Sequence, residues 1–232
     1  MNSVTLTELI TRTRQRSDNE NSGRVTNIEI THFLNDEIQQ FYSEACNIDD
    51  GELFATVSPT LTKIGNNAYQ LPDDFLRLVD VNIYTGARWV PAVPADSQDY
   101  LPLLTQTYTG DYDVRYYLKL NLSQGRYELF LFPSKNVTNV GVRYIPEHPE
   151  LSLGEDTLNW PSSWHRIPVL GAAIKCKVKE DASPAALMVE YDKAKGQVLK
   201  DIRSQKVAEV ETLRDIAGRN RRSARRRRLA YW

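Results

Sequence analysis

The sequence predicts an α+β fold in which a helical bundle is built from an N-terminal and a C-terminal helix pair, with an antiparallel β domain inserted between them. Three observations support this prediction. Apolar residues recur at helical spacing near both ends of the chain, whereas the middle shows the shorter period of strands. From Gly218 onward the chain has no apolar period. The predicted parts are residues 1–50, 51–155, 156–217 and 218–232.

The N-terminal helix pair is predicted from two capping boxes, in which a threonine is followed three residues later by a glutamate. Thr5 pairs with Glu8 before a short helix, and Thr26 pairs with Glu29 before a stronger one. The second helix has a broad apolar face, which indicates that it packs into a core. That face comprises Ile30, Phe33, Leu34, Ile38, Phe41, Tyr42 and Ala45.

The middle of the chain consists of short segments rich in aromatic and β-branched residues, separated by turn-forming residues. This pattern is typical of a meander of antiparallel strands. Residues 96–104 are an exception, because their apolar spacing suits a helical turn. The predicted strands are Leu53–Ser58, Ala68–Leu71, Phe75–Tyr84, Arg88–Val90, Asp113–Leu120, Arg126–Phe132 and Val140–Ile145.

A helical hairpin is predicted over residues 162–217. Its first helix starts near residues 165–168 and buries Ile167, Leu170, Ile174 and Val178, and the small residues 171–173 allow a second helix to approach closely. Its second helix starts with Ser183 as the N-cap and Pro184 at the first helical position, and would be roughly 50 Å long. The apolar stripe of that helix is Leu187, Tyr191, Ala194, Val198 and Ile202.

The charge of the chain is divided between an acidic body and a basic tail. Eight arginines and one acid from Arg214 onward give +7, which leaves −8 for residues 1–213 out of a total of −1. The tail could be a solvated disordered segment, a nucleic-acid contact, or a docking segment for an acidic protein groove. The aromatic end favours the protein partner, because Arg, Tyr and Trp are typical interface anchors. The candidate binding residues are Arg219, Arg221, Arg222, Arg225, Arg226, Arg227, Arg228, Leu229, Tyr231 and Trp232.

No motif for catalysis, nucleotide binding or metal binding occurs in the sequence. The three histidines, His32, His148 and His165, are isolated from other ligand-type residues and are expected to be surface or turn residues rather than ligands. Asp73-Asp74 suits a turn better than an acid–base pair. We therefore predict no enzyme, no catalytic residue, no cofactor and no metal. Cys46 and Cys176 are expected to be core residues of a protein made in a reducing compartment. No apolar run is long enough to span a membrane, so no membrane partner is expected.

Five features together suggest a family: the N-terminal helix pair, Thr5–Cys46; Tyr69–Val81, with the sequence YQLPDDFLRLVDV; the WPSSWH segment, Trp160–His165; the small-residue helix after it; and the long charged helix. In this order they resemble head-to-tail connector adaptors of tailed bacteriophages, of the tail tubular protein A, gatekeeper or head-completion type.

The resemblance implies a structural virion protein of the neck or tail, made in the host cytoplasm. It implies a homo-oligomeric ring of about twelve copies between the portal protein and the next tail or nozzle protein, with residues 211–232 as the arm that docks on the portal. Non-specific contact between the arginines and DNA in the channel stays open. Two alternatives also stay open: a nucleic-acid-binding module that uses the tail, and a cell-wall hydrolase that uses Asp73, Asp74, Glu128 or Glu147.

Overall fold

A computed structural model describes residues 3–20, 23–48, 52–65, 67–95, 114–132 and 139–204. Contacts divide the chain into two units, one formed by Met1–Asp49 with Pro149–Trp232 and the other by Asp50–His148. The described residues contain both α-helices and β-sheets, which confirms the mixed α+β class. The bundle of two helix pairs and the extended basic tail stay predictions.

The first unit contains the four α-helices of the described residues and one small sheet. Strand β1 (Val4–Thr5) pairs antiparallel with the late strand β11 (Thr157–Leu158), so the two separate chain segments of this unit are joined by a ladder. The helices α1, α2 and α3 contact one another. The helices are α1 (Leu6–Arg16), α2 (Asn27–Ile48), α3 (Arg166–Lys179) and α4 (residues 185–204).

The two capping boxes differ in completeness. At the start of α2, the Thr26 hydroxyl accepts a hydrogen bond from Glu29 N at 3.3 Å, and the Glu29 carboxylate accepts one from Thr26 N at 3.0 Å. At the start of α1, the Thr5 side chain accepts from Glu8 N, but the Glu8 carboxylate pairs with Arg12 one turn later. Only the second box is therefore reciprocal, whereas the first reduces to a simple N-cap.

The core of the first unit is built around Phe41. Its ring lies 5.4 Å from Trp160 and 5.6 Å from Trp164, in the tilted and edge-on geometries that aromatic pairs favour. The predicted apolar face of α2 is buried except at Phe33, which is half-buried. Cys46 is buried as predicted.

The predicted stripe of α3 needs one correction. Ile167 and Leu170 are buried, but Val178 is exposed, and Cys176 is buried in the last turns instead. Burial raises the pKa of the Cys176 thiol to about 11, so the thiol is protonated at neutral pH. Pro168 lies within the first turn of α3, where its missing N–H breaks no helical hydrogen bond.

Residues 149–155 contact the helices, although we predicted them to be part of the β insert. The Asn35 side chain on α2 donates to Leu151 O at 2.9 Å and accepts from Leu151 N at 3.1 Å. Leu6 N donates to Asp156 O at 2.9 Å. The Asn35 amide thus satisfies both backbone groups of a residue that lies 116 positions away in the chain. No local pattern in the sequence reveals a contact between such distant residues.

The second unit contains two sheets and a short 3₁₀ helix, Glu52–Phe54, at a place where we predicted strand. Its strands are β2 (Thr56–Ser58), β3 (Thr62–Lys63), β4 (Ala68–Gln70), β5 (Phe75–Tyr84), β6 (Trp89–Pro91), β7 (Val93–Pro94), β8 (Arg115–Asn121), β9 (Arg126–Phe132) and β10 (Asn139–Pro146). One sheet has the strand order β2-β10-β5-β6 and the other has β3-β4-β9-β8-β7.

The prediction of a wholly antiparallel insert was wrong at one edge. Strand β7 pairs with β8 in parallel, with Val93 opposite Arg115 and Pro94 opposite Tyr116. A parallel pair needs a connection of a dozen or more residues, and the segment between β7 and β8 is long enough to supply it. The predicted helical turn at residues 96–104 falls in that connection and lies outside the described residues.

The inner faces of both sheets of the second unit meet in one core. Strands β5, β9 and β10 contribute alternate residues to it, as the period of two requires. Between Arg143 and Tyr144 the register shifts, because Val79 is an extra residue in β5. The fully buried members include Ile83, Leu129, Leu131 and Val140.

The reciprocal cap of α2 predicts a measurable pH effect. Hydrogen bonds from Lys179 and from the Thr26 backbone lower the pKa of Glu29 from 4.5 to about 2. Because the folded state lowers this pKa, the stabilisation is present above pH 4.5 and is lost as the pH falls towards 2. We expect Glu29→Gln to lower the melting temperature at pH 7. The difference in melting temperature between the variant and the wild type should shrink towards zero by pH 2.

This comparison needs melting curves from pH 7 to pH 2 at low salt. Glu155→Gln, which removes an exposed carboxylate from the same unit, is the matched control and should stay parallel to the wild type. If the melting temperature of Glu29→Gln differs from that of the wild type by the same amount at every pH, the predicted dependence of stability on the Glu29 charge is wrong.

Candidate interaction surfaces

Every residue predicted to form the binding tail lies outside the residues that the structure describes. The last described residue is Ser204, in α4, so the structure neither brings the tail residues together nor separates them. The predicted set therefore remains a prediction for Arg219, Arg221, Arg222, Arg225, Arg226, Arg227, Arg228, Leu229, Tyr231 and Trp232.

Helix α4 leads towards this tail and is held to the first unit along one side. Its predicted stripe is confirmed from residue 187 to residue 202, because Val198 and Ile202 are buried and the three earlier members are half-buried. Met188 N donates to Pro184 O at 3.0 Å, which makes Pro184 the residue that accepts the first helical hydrogen bond. The helix therefore starts one residue later than predicted.

A buried carboxylate on α2 lies where three helices meet. Glu37 is only 6% exposed. Its Oε2 accepts a hydrogen bond from Tyr191 Oη on α4 at 3.0 Å, and its Oε1 lies 3.1 Å from Lys175 Nζ on α3. Burial, followed by the nearby Glu37 carboxylate, raises the pKa of Tyr191, so the phenol keeps its proton and acts as the donor.

Gly171 makes room for this carboxylate. A Cβ atom at residue 171 would lie 2.6 Å from Glu37 Cγ, and Cδ and Oε2 would be closer still. The sequence predicted close helix–helix approach at Gly171, and the structure shows that the approaching group is the Glu37 side chain. The signal that we missed is Glu37 itself, a carboxylate between Leu34 and Ile38 on an otherwise apolar face.

Three further ion pairs connect α4 to the rest of its own unit. Lys195 Nζ lies 2.6 Å from Glu44 Oε1 on α2, and Glu190 pairs with Arg166 and lies 3.5 Å from Arg16. The hydrogen bond from Arg166 lowers the pKa of Glu190. These contacts face the inside of the unit, so the opposite side of α4 is left to solvent.

A groove lies between α1 and α2, and Ser152 and Gly154 also line it. It has a volume of about 380 Å³ and its lining includes Leu6, Ile10 and Ile28. Arg14 is the one charged residue among the described residues that line it. We call this cavity the α1–α2 groove.

The second unit carries an apolar depression on the outer face of its four-stranded sheet. Trp89 forms one wall and packs 5.4 Å from the Tyr84 ring, and Gly141 forms part of the floor. A Cβ atom at residue 141 would lie 3.3 Å from Pro59 O and 3.4 Å from the Trp89 ring, so the floor leaves little room for a side chain. Arg143 Nε donates to Asp80 Oδ2 at 2.7 Å at the rim.

Three of the four carboxylates considered for hydrolysis have side-chain partners, and the fourth residue, Glu147, donates its backbone N–H to Asp74 O at 2.6 Å. Asp73 Oδ1 lies 3.1 Å from Arg126 Nη1, Asp74 Oδ1 accepts from Tyr144 Oη at 2.8 Å, and Glu128 Oε1 accepts from Asn121 at 2.7 Å. Burial and the Asp74 hydrogen bond raise the pKa of Tyr144 to about 12. Each of these three carboxylates therefore has a partner within the second unit.

The histidines also have separate surroundings. His165 is buried, contrary to our expectation of a surface or turn residue, and its Nε2 lies 2.9 Å from Trp160 O. Burial lowers its pKa, so the ring is neutral at pH 7. Among the described residues, no group of three or more His, Cys, Asp or Glu side chains is arranged to hold a metal ion.

The helices in the described part of the chain include none whose length and apolar content would allow it to cross a membrane. A family model described as SU10 adaptor protein matches residues 4–228. No curated protein matches the chain. Because the family model covers nearly the whole length, the chain belongs to the SU10 adaptor protein family, a family of structural phage adaptors and hence of virion proteins.

Proposed function

We propose that the protein is a head-to-tail connector: it forms a ring between the portal protein and the tail, and its tail, residues 219–232, docks on the portal. The observation that carries the proposal is the family match, which runs to residue 228 and so takes in all the arginines of the tail. A family model that extends through a basic terminal segment is easier to explain if that segment contributes to the shared adaptor role.

The charge distribution supports docking on a protein surface. The body of the chain carries a charge of −8, so it does not repel the +7 end of the chain, and an acidic partner does not repel that end either. Arginine pairs with carboxylates through two parallel hydrogen bonds, and Tyr231 and Trp232 can fill pockets between such pairs. An acidic groove on the portal is therefore the proposed destination.

The proposed ring has about twelve copies, which is the number that the resemblance to connector adaptors implies. A cyclic ring uses head-to-tail contacts, in which one face of each copy binds a different face of the next. The second unit, with its sheet edges and the Trp89 depression, is the proposed contact for the next tail or nozzle protein. Synthesis in the host cytoplasm belongs to the same proposal.

The test compares the full chain with a chain that ends at Gly218, each mixed with purified portal protein and observed by native mass spectrometry and electron microscopy. We expect rings on the portal for the full chain and at least a tenfold loss of binding for the truncated chain, because seven arginines and both aromatic anchors are removed. Equal binding by the two chains would refute the tail as the docking segment.

Two variants separate the contribution of the arginines to portal binding from that of the aromatic end. Replacing its seven arginines with glutamine keeps the aromatic end, and Tyr231→Ala with Trp232→Ala keeps the charge. If the tail instead serves as a nucleic-acid-binding module, the full chain should bind duplex DNA with a slope of log affinity against log salt of roughly −6. In that case the arginine variant should abolish DNA binding while portal binding is unchanged.

A further inference from the structure

The α1–α2 groove is more apolar than its residue types suggest. Three threonines line it, and each uses its hydroxyl locally: Thr7 donates to Gly154 O, Thr11 to Thr7 O and Thr31 to Asn27 O, all at 2.9 Å. The hydroxyl donors of these threonines are therefore already used within the unit. Ile28, at its rim, is 71% exposed. An apolar groove with an isoleucine at its edge is the type of surface that a helix from a partner covers.

The turn between α3 and α4 carries a second exposed apolar surface. Val189 is 71% exposed, and Met188 and Val178 are exposed nearby in the sequence. Val189 lies nine residues before the buried Val198, which at 100° per residue places it on the opposite side of α4. We call residues 178–189 the hairpin tip.

The hairpin tip of a copy does not occupy the α1–α2 groove of the same copy. Lys179, in the tip, pairs with Glu29 on α2, and Tyr191, just beyond the tip, is held by Glu37 further along α2. Among the described residues that line the groove, none belongs to the tip. Both surfaces of a copy are therefore available to a second copy.

The charges of the two surfaces are complementary. Arg14 is the charged residue of the groove lining, and its guanidinium donates to Asn27 Oδ1, Asn19 O and Val25 O. The hairpin tip presents Asp181, which is exposed and has a φ of 56°. An aspartate in this left-handed conformation ends α3 and carries its carboxylate at the point of the turn.

We propose that the hairpin tip of one copy docks in the α1–α2 groove of the next, with Val189 and Met188 against Ile10 and Ile28, and Asp181 near Arg14. The inference rests on the proposed ring and identifies its subunit contact. The two surfaces differ, so each copy keeps one free groove and one free tip after pairing. Such a contact propagates from copy to copy until the ring closes.

The test uses cysteine pairs in the full chain, assembled with portal protein and treated with a short bismaleimide cross-linker. Copies with Ile28→Cys are mixed with copies with Val189→Cys. We expect cross-linked dimers at least about tenfold above those from either variant alone, because neighbours in contact have an effective concentration near millimolar. Cys46 and Cys176 are buried, so the wild type gives a low background.

The matched control replaces Ile28→Cys with Leu122→Cys, since Leu122 is 86% exposed but belongs to the second unit and to neither surface. Rings that form without cross-links above this control would overturn the contact and leave the proposed function intact. A wild-type chain that stays monomeric in the presence of portal would overturn both.

A charge variant gives an independent readout. Ile28→Glu should fold normally because the side chain is exposed, but should weaken assembly at least about tenfold by placing a carboxylate in an apolar contact. Leu122→Glu should assemble like the wild type. If Ile28→Glu assembles as well as Leu122→Glu, the groove is not the subunit contact.

Discussion

Gly171→Ala is expected to lower the free energy of unfolding by about 2–4 kcal/mol, although alanine favours helices by about 1 kcal/mol over glycine. The added methyl group would overlap the Glu37 side chain, which cannot move without losing its contacts with Tyr191 and Lys175. Each unsatisfied group costs about 1–3 kcal/mol, so the loss outweighs the gain in helix propensity. Urea unfolding followed by circular dichroism measures the difference.

The matched control is Gly196→Ala, in α4, where nothing lies within 4 Å of the new methyl group. It should be neutral or should stabilise the chain by up to about 1 kcal/mol. The double variant Gly171→Ala with Glu37→Ala should recover part of the loss, because the overlap is gone. A Gly171→Ala variant as stable as Gly196→Ala would show that Glu37 is not held in place.

Phe41→Ala should destabilise the first unit by about 3–5 kcal/mol, the range for removing a large aromatic side chain from a core. Phe41 is fully buried, and its ring packs against the rings of Trp160 and Trp164, which are also buried. The cavity left behind is bordered by rigid rings that collapse poorly. We expect a large fall in the urea midpoint and a loss of the near-ultraviolet circular dichroism of the tryptophans.

Phe33→Ala removes the same side chain from the same helix and is the control. Phe33 is half-buried, with Lys175 Nζ 5.9 Å from its ring centre, so its removal should cost about 1–2 kcal/mol. Equal losses for the two variants would mean that the aromatic cluster contributes little beyond ordinary burial.

The periodic features of the sequence were predictable because they depend on neighbours along the chain. The apolar face of α2, the stripe of α4 from residue 187 to residue 202 and the Thr26 cap all follow from spacings of three and four residues. The long strand β5 was predicted with its bounds, since its β-branched and aromatic residues extend over ten positions. A short window of sequence is therefore enough to predict each of these elements.

Features that join distant segments were not predictable in the same way. The contact between Glu37 and Tyr191 spans 154 residues, and the partners of β7 and β8 depend on a long connection. Strands of two residues, such as β1 and β11, leave no periodic signal at all. The family match confirms the broader prediction of a structural phage adaptor, a type of protein that is typically not an enzyme.

The inserted position of the second unit affects the order in which the chain can fold as it leaves the ribosome. Asn35 and Leu151 hydrogen-bond across 116 residues, whereas the two sheets draw their strands from the continuous segment between them. At translation rates of roughly 5–20 residues per second, α2 waits on the order of ten seconds for its partners. The β unit can complete its core first, while the apolar face of α2 remains a substrate for chaperones until α3 has been made.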